Sequence, residues 1–402
     1  MHFDGGVMLA DYRRYTRHKQ VFLCCLVVGL VLAVMASISV GAVAISLPDL
    51  FAVLTNNAPS RRLELIVYSI RLPQTLTAVV AGAGLAGAGT VMQSVLRNPL
   101  ASPFTLGISH AAAFGAALSV MVLGSGTMGS ALGDAVSITS PVLTLASAFV
   151  FAMGTACLIT FIARTRGASP EVMVLTGVAL GDAVSITSPV LTLASAFAFA
   201  MGTACLITFI ARTRGASPEV MVLTGVALGA LFTAGTMLLQ FFADDVQLAA
   251  MVFWTFGDVA RTDWSDLVIL SVVTAGLLGF HLMNTLNYNA MDVGDETAHG
   301  LGVRVSRVRL MGMMAASLVT SVIISFVGII GFIGLVAPHM VRQIIGDDHR
   351  FLLPASILAG ALILLVSDMA ARLVLLPHVL PVSIFTAFLG APVFIGLILR
   401  RR

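Results

Sequence analysis

The stretch Gly328-Ile-Ile-Gly-Phe-Ile-Gly-Leu-Val-Ala-Pro-His-Met-Val-Arg-Gln-Ile-Ile-Gly-Asp-Asp-His-Arg350 decides how the chain is read. It opens as a run that fits only lipid or a deep core. It then meets Pro338 and His339, and within a dozen residues becomes the polar cluster Asp347-Asp348-His349-Arg350. Apolar runs stand on both sides. So sharp a passage from oil to charge marks a membrane surface.

Composition agrees. Of 402 residues 58% are apolar and 10% charged, and the mean hydropathy is +1.02. A soluble domain carries roughly 25% charged residues, so an ordinary globular enzyme is excluded. Many segments reach the roughly 20 apolar residues that span a bilayer, and the alternating pattern of an outer-membrane barrel is absent. The expectation is an all-α, polytopic helical membrane protein with one transmembrane domain over 1–402. Its 37 glycines suit helices that pack closely in lipid.

Charge placement orients the chain. Basic clusters stand at Arg13/Arg14/Arg17/Lys19, Arg164/Arg166, Arg212/Arg214, Arg304/Arg307/Arg309 and Arg400-Arg401-Arg402. The positive-inside rule puts these loops and both termini in the cytoplasm. Lys19 is the only lysine, which excludes a Walker A phosphate loop; ATP, if it drives the protein, is hydrolysed by another subunit. Cys24, Cys25, Cys157 and Cys205 lie in apolar spans and give no disulfide framework or metal spacing.

The expected spans run 21–47, 73–95, 108–124, 142–163, 220–242, 267–285, 310–330, 331–346, 354–371 and 382–399, ten in all. The first is too long for a signal-peptide core and is expected to stay in the membrane. Polar loops are expected at 48–71, at 244–266 and at 287–309, with a short re-entrant piece after Arg97-Asn98-Pro99. Residues 131–181 recur at 179–229, 48 residues on, differing only in Val150 against Ala198. This is a recent tandem duplication or an error in the sequence. It is unlike the diverged inverted repeats of many transporters. If 171–189 crosses the bilayer, the insert adds two crossings and preserves the charge bias. Asp182 near mid-membrane would cost about 2.5–3.5 kcal/mol, so a re-entrant segment stays open as well.

The motifs then match a known family. They are Arg71-Leu-Pro, Gly82-Ala-Gly-Leu-Ala-Gly, Gln93, Arg97-Asn-Pro-Leu-Ala-Ser-Pro103 and Leu106-Gly-Ile-Ser. Downstream come Leu175-Thr-Gly-Val-Ala-Leu-Gly (again from Leu223), Phe253-Trp254, Gly294-Asp-Glu-Thr-Ala and Leu301-Gly-Val. Last are Gly331-Phe-Ile-Gly334-Leu-Val-Ala-Pro338-His339 with Asp348-His349-Arg350, then Arg372, Leu380-Pro-Val and Gly390-Ala-Pro-Val-Phe. In this order they resemble the permease subunits of FecCD-type ABC importers, which take up ferric siderophores, haem and vitamin B12. The resemblance implies ten helices per subunit and a homo- or heterodimer around a central pathway. It also implies two partner ATPase subunits that bind the ATP, and a substrate-binding protein docked outside. No cofactor, metal or nucleic acid is implied.

It implies residue roles too. The 287–309 loop, with Gly294, Asp295, Glu296, Gly300, Leu301 and Gly302, is expected to fold into short cytoplasmic helices that rest on the ATPase; glycines allow its tight turns. Arg71 and Arg372 hold positions where the family places arginines facing the binding protein. Gln74 stands where arginine is usual and loses the charge and bidentate geometry. Val379 for glutamate and Ser383 for glycine depart further. The spans at 220–242 and 382–399 are expected to line the pathway. Pro338-His339 has no second ligand at metal spacing upstream, so ending or bending the helix is its expected role. Asp182 and Asp368 are the only carboxylates an ion-driven carrier could use, and Asp368 is expected to pair with Arg372 four residues on. The expected activity is import of an iron chelate, a ferric siderophore first, cobalamin or haem next.

Overall fold

The computed structural model describes residues 5–123 and 218–399, apart from 42, 44, 56, 58, 376 and 377, together with a ribbon of two short strands. A glycine-rich helix stands at its centre. In α4 (Leu72–Val95) nearly every side chain is buried. Its glycines face different neighbours, and each is small for a different contact. Gly82 meets Gly360 of α13 (His349–Leu373), and Gly89 meets the Gly334 carbonyl of α12 (Ile333–Ile345). Gly84 faces Thr274 of α8 (Trp264–Met283) and Ile323 of α11 (Val305–Val327). Small residues let backbones approach where lipid gives no hydrophobic drive between helices.

Among the described residues, six helical stretches are long and apolar enough to cross a membrane: Tyr15–Ser39, Arg61–Val95, Val222–Phe242, Trp264–Met283, Val305–Val327 and His349–Leu373. They belong to α1 (Gly5–Ser39), α3 (Arg61–Leu65) with α4, α6 (Pro218–Phe242), α8, α11 and α13. Shorter apolar helices are α5 (Ile108–Leu123), α12 and α14 (Val382–Leu399). The all-α expectation stands, with one addition. Strands β1 (Gly126–Met128) and β2 (Val136–Ile138) pair antiparallel, Gly126 opposite Ile138. The expected spans 142–163 and 171–189, with most of the duplication, lie outside the described residues.

Several boundaries move. The first helix starts well before 21 and stops at Ser39. The expected loop 48–71 is largely helical. Ser46 caps α2 (Leu47–Leu54), with Pro48 in its first turn, where a missing N–H costs nothing. Ser60 caps α3, which continues through a π-helical turn, Ile66–Arg71, into α4. The expected loop 244–266 contains α7 (Asp245–Thr255), started by a capping box between Asp244 and Gln247.

The opening stretch is a broken crossing. Thirteen helical residues in α12 reach only about 20 Å at 1.5 Å per residue. The five residues 328–332 before it are irregular backbone, neither helix nor strand. Gly328 ends α11 at φ +78, and Phe332 sits at φ +66. Irregular backbone at this depth is tolerated where protein covers it. Here the Val327 carbonyl accepts from Asp258 N–H, and Gly257 lies against the Ile329 carbonyl. Pro338 falls inside α12 rather than at its end. Its missing N–H leaves the Gly334 carbonyl free of its helical partner, and that carbonyl lies against Gly89.

Candidate functional site

One end of the bundle gathers the loop 287–309. It folds into α9 (Thr285–Val293) and α10 (Asp295–Gly300), joined at Gly294. Gly294 (φ +138) and Gly302 (φ +82) take backbone angles that only glycine adopts freely. Gly300 does not; it is the last residue of α10.

The inner side of this pair is tied by polar contacts. Asp292 accepts from Ser94 of α4 at 2.7 Å through one carboxylate oxygen. The other oxygen accepts from His349 Nε2 of α13 at 2.9 Å. Three residues earlier, and so on the same helix face, the Asn289 side chain accepts from the His349 N–H and donates to Asp348. Tyr288 pairs its hydroxyl with His281 Nδ1 of α8 at 2.9 Å and sets its ring edge-on to His349. Asp295 takes a two-pronged contact from Arg309, at 2.9 and 3.0 Å, with Arg97 at 3.8 Å.

The helix ends that receive these ties are themselves closed. Arg97 adopts φ +49. Its N–H reaches the Ser94 carbonyl and that of Asn98 reaches Gln93, the paired bonds of a Schellman stop with arginine in the glycine position. Pro99 prevents continuation. Arg309 Nε also donates to the Val95 carbonyl. Asp348 caps α13 and binds Arg350 through both oxygens. Arg342 bridges Gln93 at 3.1 Å and Asp347 at 2.6 Å.

These contacts set the charges. Burial alone would raise the Asp292 carboxyl; the hydrogen bonds and charge of His349, then Ser94 and Arg342, outweigh it and hold it below the usual range. Burial acts the same way on Asp348, where Arg350 and Asn289 prevail and bring it to about 2. Burial pushes the Tyr288 hydroxyl up.

The opposite side of the α9–α10 pair faces outward. Val293 is 70% exposed and Leu301 69%, with Glu296, His299, Arg304 and Arg307 exposed around them. The pair thus exposes two large apolar side chains among charged ones, on a base braced by four helices.

The sequence profile of the FecCD transport family matches residues 29–194 and 183–400. The chain belongs to the FecCD transport family. It is thus a membrane-spanning permease of the ABC type. An ABC transporter permease of Methanocaldococcus jannaschii is 40% identical, over 97% of each chain. The hemin transport system permease protein HmuU of Yersinia pestis is 31% identical, over 95% of this chain and 96% of its own. A solved metal-chelate type ABC transporter in an inward-facing conformation superimposes with a TM-score of 0.70 at 26% identity, over 94% of this chain and 98% of its own. The two matched stretches overlap within the second copy of the duplicated segment.

Two groups of expected site residues are drawn together and one is turned inward. Asp295 joins Arg97, while Glu296 and Leu301 stay exposed. Asp348, His349 and Arg350 form the start of α13. Gly331, with nothing packed on it, precedes the buried Gly334 and Pro338, and His339 is half-buried. At the far end Arg71, Gln74 and Arg372 are all buried. Arg71 donates to the Ile38, Ser39 and Val43 carbonyls and so closes α1. Gln74 donates to Asp368 at 3.0 Å. Arg372 pairs with Asp368 at 2.7 Å, as the four-residue spacing requires, and donates to Ser37. In the single chain all three side chains are engaged by these internal contacts. Asp292, Asn289, Tyr288 and Ser94 were not singled out by sequence; only a helix over 285–293 shows that 289 and 292 share a face.

Proposed function

We propose that this permease imports an iron chelate across the cytoplasmic membrane, using two partner ATPases that dock on the α9–α10 pair. The observation that carries the reading is the two-sided build of that pair. Val293 and Leu301 face outward, while Asp292 and Asp295 bind α4, α11 and α13 behind them. A solvated connecting loop needs neither exposed large apolar side chains nor a rigid base. ATP itself binds the partner, since the single lysine, Lys19, is buried in α1 beside Tyr15 and Phe351 and no phosphate loop surrounds it.

Orientation follows from the basic residues. Arg17 and Lys19, Arg97, Arg304, Arg307, Arg309, Arg342 and Arg350 share the α9–α10 end, which is therefore cytoplasmic. The opposite end faces the substrate-binding protein. With Arg71, Gln74 and Arg372 buried in the single chain, exposed groups that can meet it there include, among the described residues, Arg61, Arg62, His378 and Val379. A second permease subunit completes the pathway. A chelate cargo is supported by the hemin permease and the metal-chelate transporter among similar proteins; a ferric siderophore is the first candidate, with haem and cobalamin behind it.

The test replaces Glu296 by Ala and Gly302 by Val and measures ATPase co-purification and uptake. Both fall if the pair is the ATPase seat. Unchanged association and transport would overturn the reading. The cargo is identified by measuring which chelates the binding protein encoded beside the permease retains.

A further inference from the structure

Helices α4 and α13 run antiparallel along each other, and the same two helices are joined at both ends. At one end Asp292 receives Ser94 from the last turn of α4 and His349 from the first turn of α13, one carboxylate oxygen to each. At the other, Gln74 in the first turn of α4 donates to Asp368 in the last turns of α13. Between them Gly82 and Gly360 bring the two backbones into contact. From His349 to Arg372 is about 35 Å at 1.5 Å per residue, the depth of a bilayer. Protein interiors packed this closely move as units and do not deform continuously.

We propose that Asp292 and His349 are positioning residues of the transport cycle: they latch α9 to the α4–α13 pair, which carries ATPase-driven movement of the α9–α10 element to the Gln74–Asp368–Arg372 cluster at the opposite face. The inference rests on the reading of α9–α10 as the ATPase seat. Its geometric ground is that the Asp292 side chain hydrogen-bonds to both helices of the pair. His349 is wholly enclosed, its side chain 0% exposed, while Asp292 retains 30%; the imidazole thus touches neither solvent nor a docked partner, and it meets α9 through the Asp292 hydrogen bond and the edge of the Tyr288 ring. The Asn289 contacts to His349 and Asp348 fix the same helix start from the same face of α9. The far cluster is equally committed, since Arg372 reaches back to Ser37 of α1. A displacement arriving along α13 there repositions the end of α1.

The test uses the whole transporter, permease with its ATPase, in lipid nanodiscs. The four cysteines are replaced by serine and Val379, exposed at the far end, by cysteine. Maleimide labelling of that cysteine is measured with and without ATP. Variant H349L removes the hydrogen bond; H349Q keeps an N–H in its place. The expected result is ATPase co-purification within about twofold of the parent for both. The ATP-dependent change in labelling rate is lost in H349L and at least half restored in H349Q. If H349L does not accumulate, D292N is read the same way and is expected to reduce the response at least threefold. An H349L protein, or failing it D292N, that keeps its ATPase and the full labelling response overturns the latch. That outcome is distinct from failure of the seat itself, which shows as ATPase association indifferent to the Glu296 and Gly302 substitutions.

Discussion

Gln74 and Asp368, 294 residues apart in sequence, are joined by a 3.0 Å hydrogen bond between α4 and α13. Asp368 holds Arg372 at 2.7 Å on its own helix, and all three side chains are buried. An amide suits this position: it neutralises no charge and leaves the carboxylate to one guanidinium. Breaking a buried ion pair by removing one partner costs about 3–5 kcal/mol, whereas removing both costs far less. Arg372→Leu is therefore expected to lower thermal stability in detergent sharply, and Asp368→Asn with Arg372→Leu to recover much of the loss. Equal unfolding midpoints for the single and double variants would show that the pair is not energetically coupled.

Arg71 forks onto the Ile38 and Ser39 carbonyls that end α1 and onto the Val43 carbonyl beyond it. The last carbonyls of a helix have no partner of their own, and a planar guanidinium can satisfy several at once where an ammonium cannot. Arg71→Ala is expected to speed amide hydrogen exchange across 36–54 by roughly tenfold or more, which corresponds to about 1.4 kcal/mol of local opening. Arg71→Lys should fall nearer to the alanine variant than to the parent. Exchange confined to wild-type rates in both would remove the capping role.

Asp348 gives a pH dependence with a defined sign. Its carboxyl lies at about 2 in the folded chain against an ordinary 3.8. A depressed carboxyl adds stability that is fully present above the unfolded value and is lost as pH falls through the folded one. The wild-type protein should therefore lose local stability at the start of α13 between pH 3.8 and about 2, and stability there rises with pH. Asp348→Ala should lose the cap at neutral pH, about 0.5–2 kcal/mol, and show a flatter profile in the acid range. Parallel profiles for the two proteins would show that another group governs the acid response.

Close approach at Gly89 is equally testable. A Cβ there would run into the backbone carbonyl of Gly334, and a backbone atom cannot swing aside as a side chain can. Overpacking of a tight core costs about 1–3 kcal/mol. Gly89→Ala is expected to destabilise the bundle at the upper end of that range. Gly279→Ala, with nothing within 4 Å, should leave it unchanged or slightly firmer. Thermal unfolding of the two variants side by side settles the contrast.

Much of this was legible in the sequence, and the rest was hidden for identifiable reasons. Hydropathy located α4, α5, α6, α8, α11, α13 and α14, because length and apolarity are enough for that. It counted 331–346 as a full span, since hydropathy cannot show that 328–332 is irregular and the helix starts only at Ile333. Polar composition made loops of 48–71 and 244–266, where Ser60 and Asp244 are in fact helix caps and Ser46, just ahead of the first, is another. The Asp368–Arg372 pair followed from four-residue spacing on one helix. Gln74–Asp368 and Ser94–Asp292–His349 join distant segments, and no local pattern encodes them. Resemblance pointed Arg71 and Arg372 toward the binding protein; what no local pattern encodes is their internal bonds to the Ile38 carbonyl and to Ser37.

The duplicated segment admits a direct prediction. Residues 170–178 read Pro-Glu-Val-Met-Val-Leu-Thr-Gly-Val, identical to 218–226. Deleting 179–226 joins the first copy to Ala227 and leaves the sequence of α6, Pro218–Phe242, unchanged. Every contact described for α6 survives, among them the packing of Gly225 and Gly229 on Leu106 and Gly107 and the bond between Thr233 and His110. The shortened chain also retains one complete copy of each family motif. It is expected to accumulate in the membrane and support uptake at least as well as the 402-residue form. Loss of uptake by a shortened chain that still accumulates would show that the second copy has a role of its own.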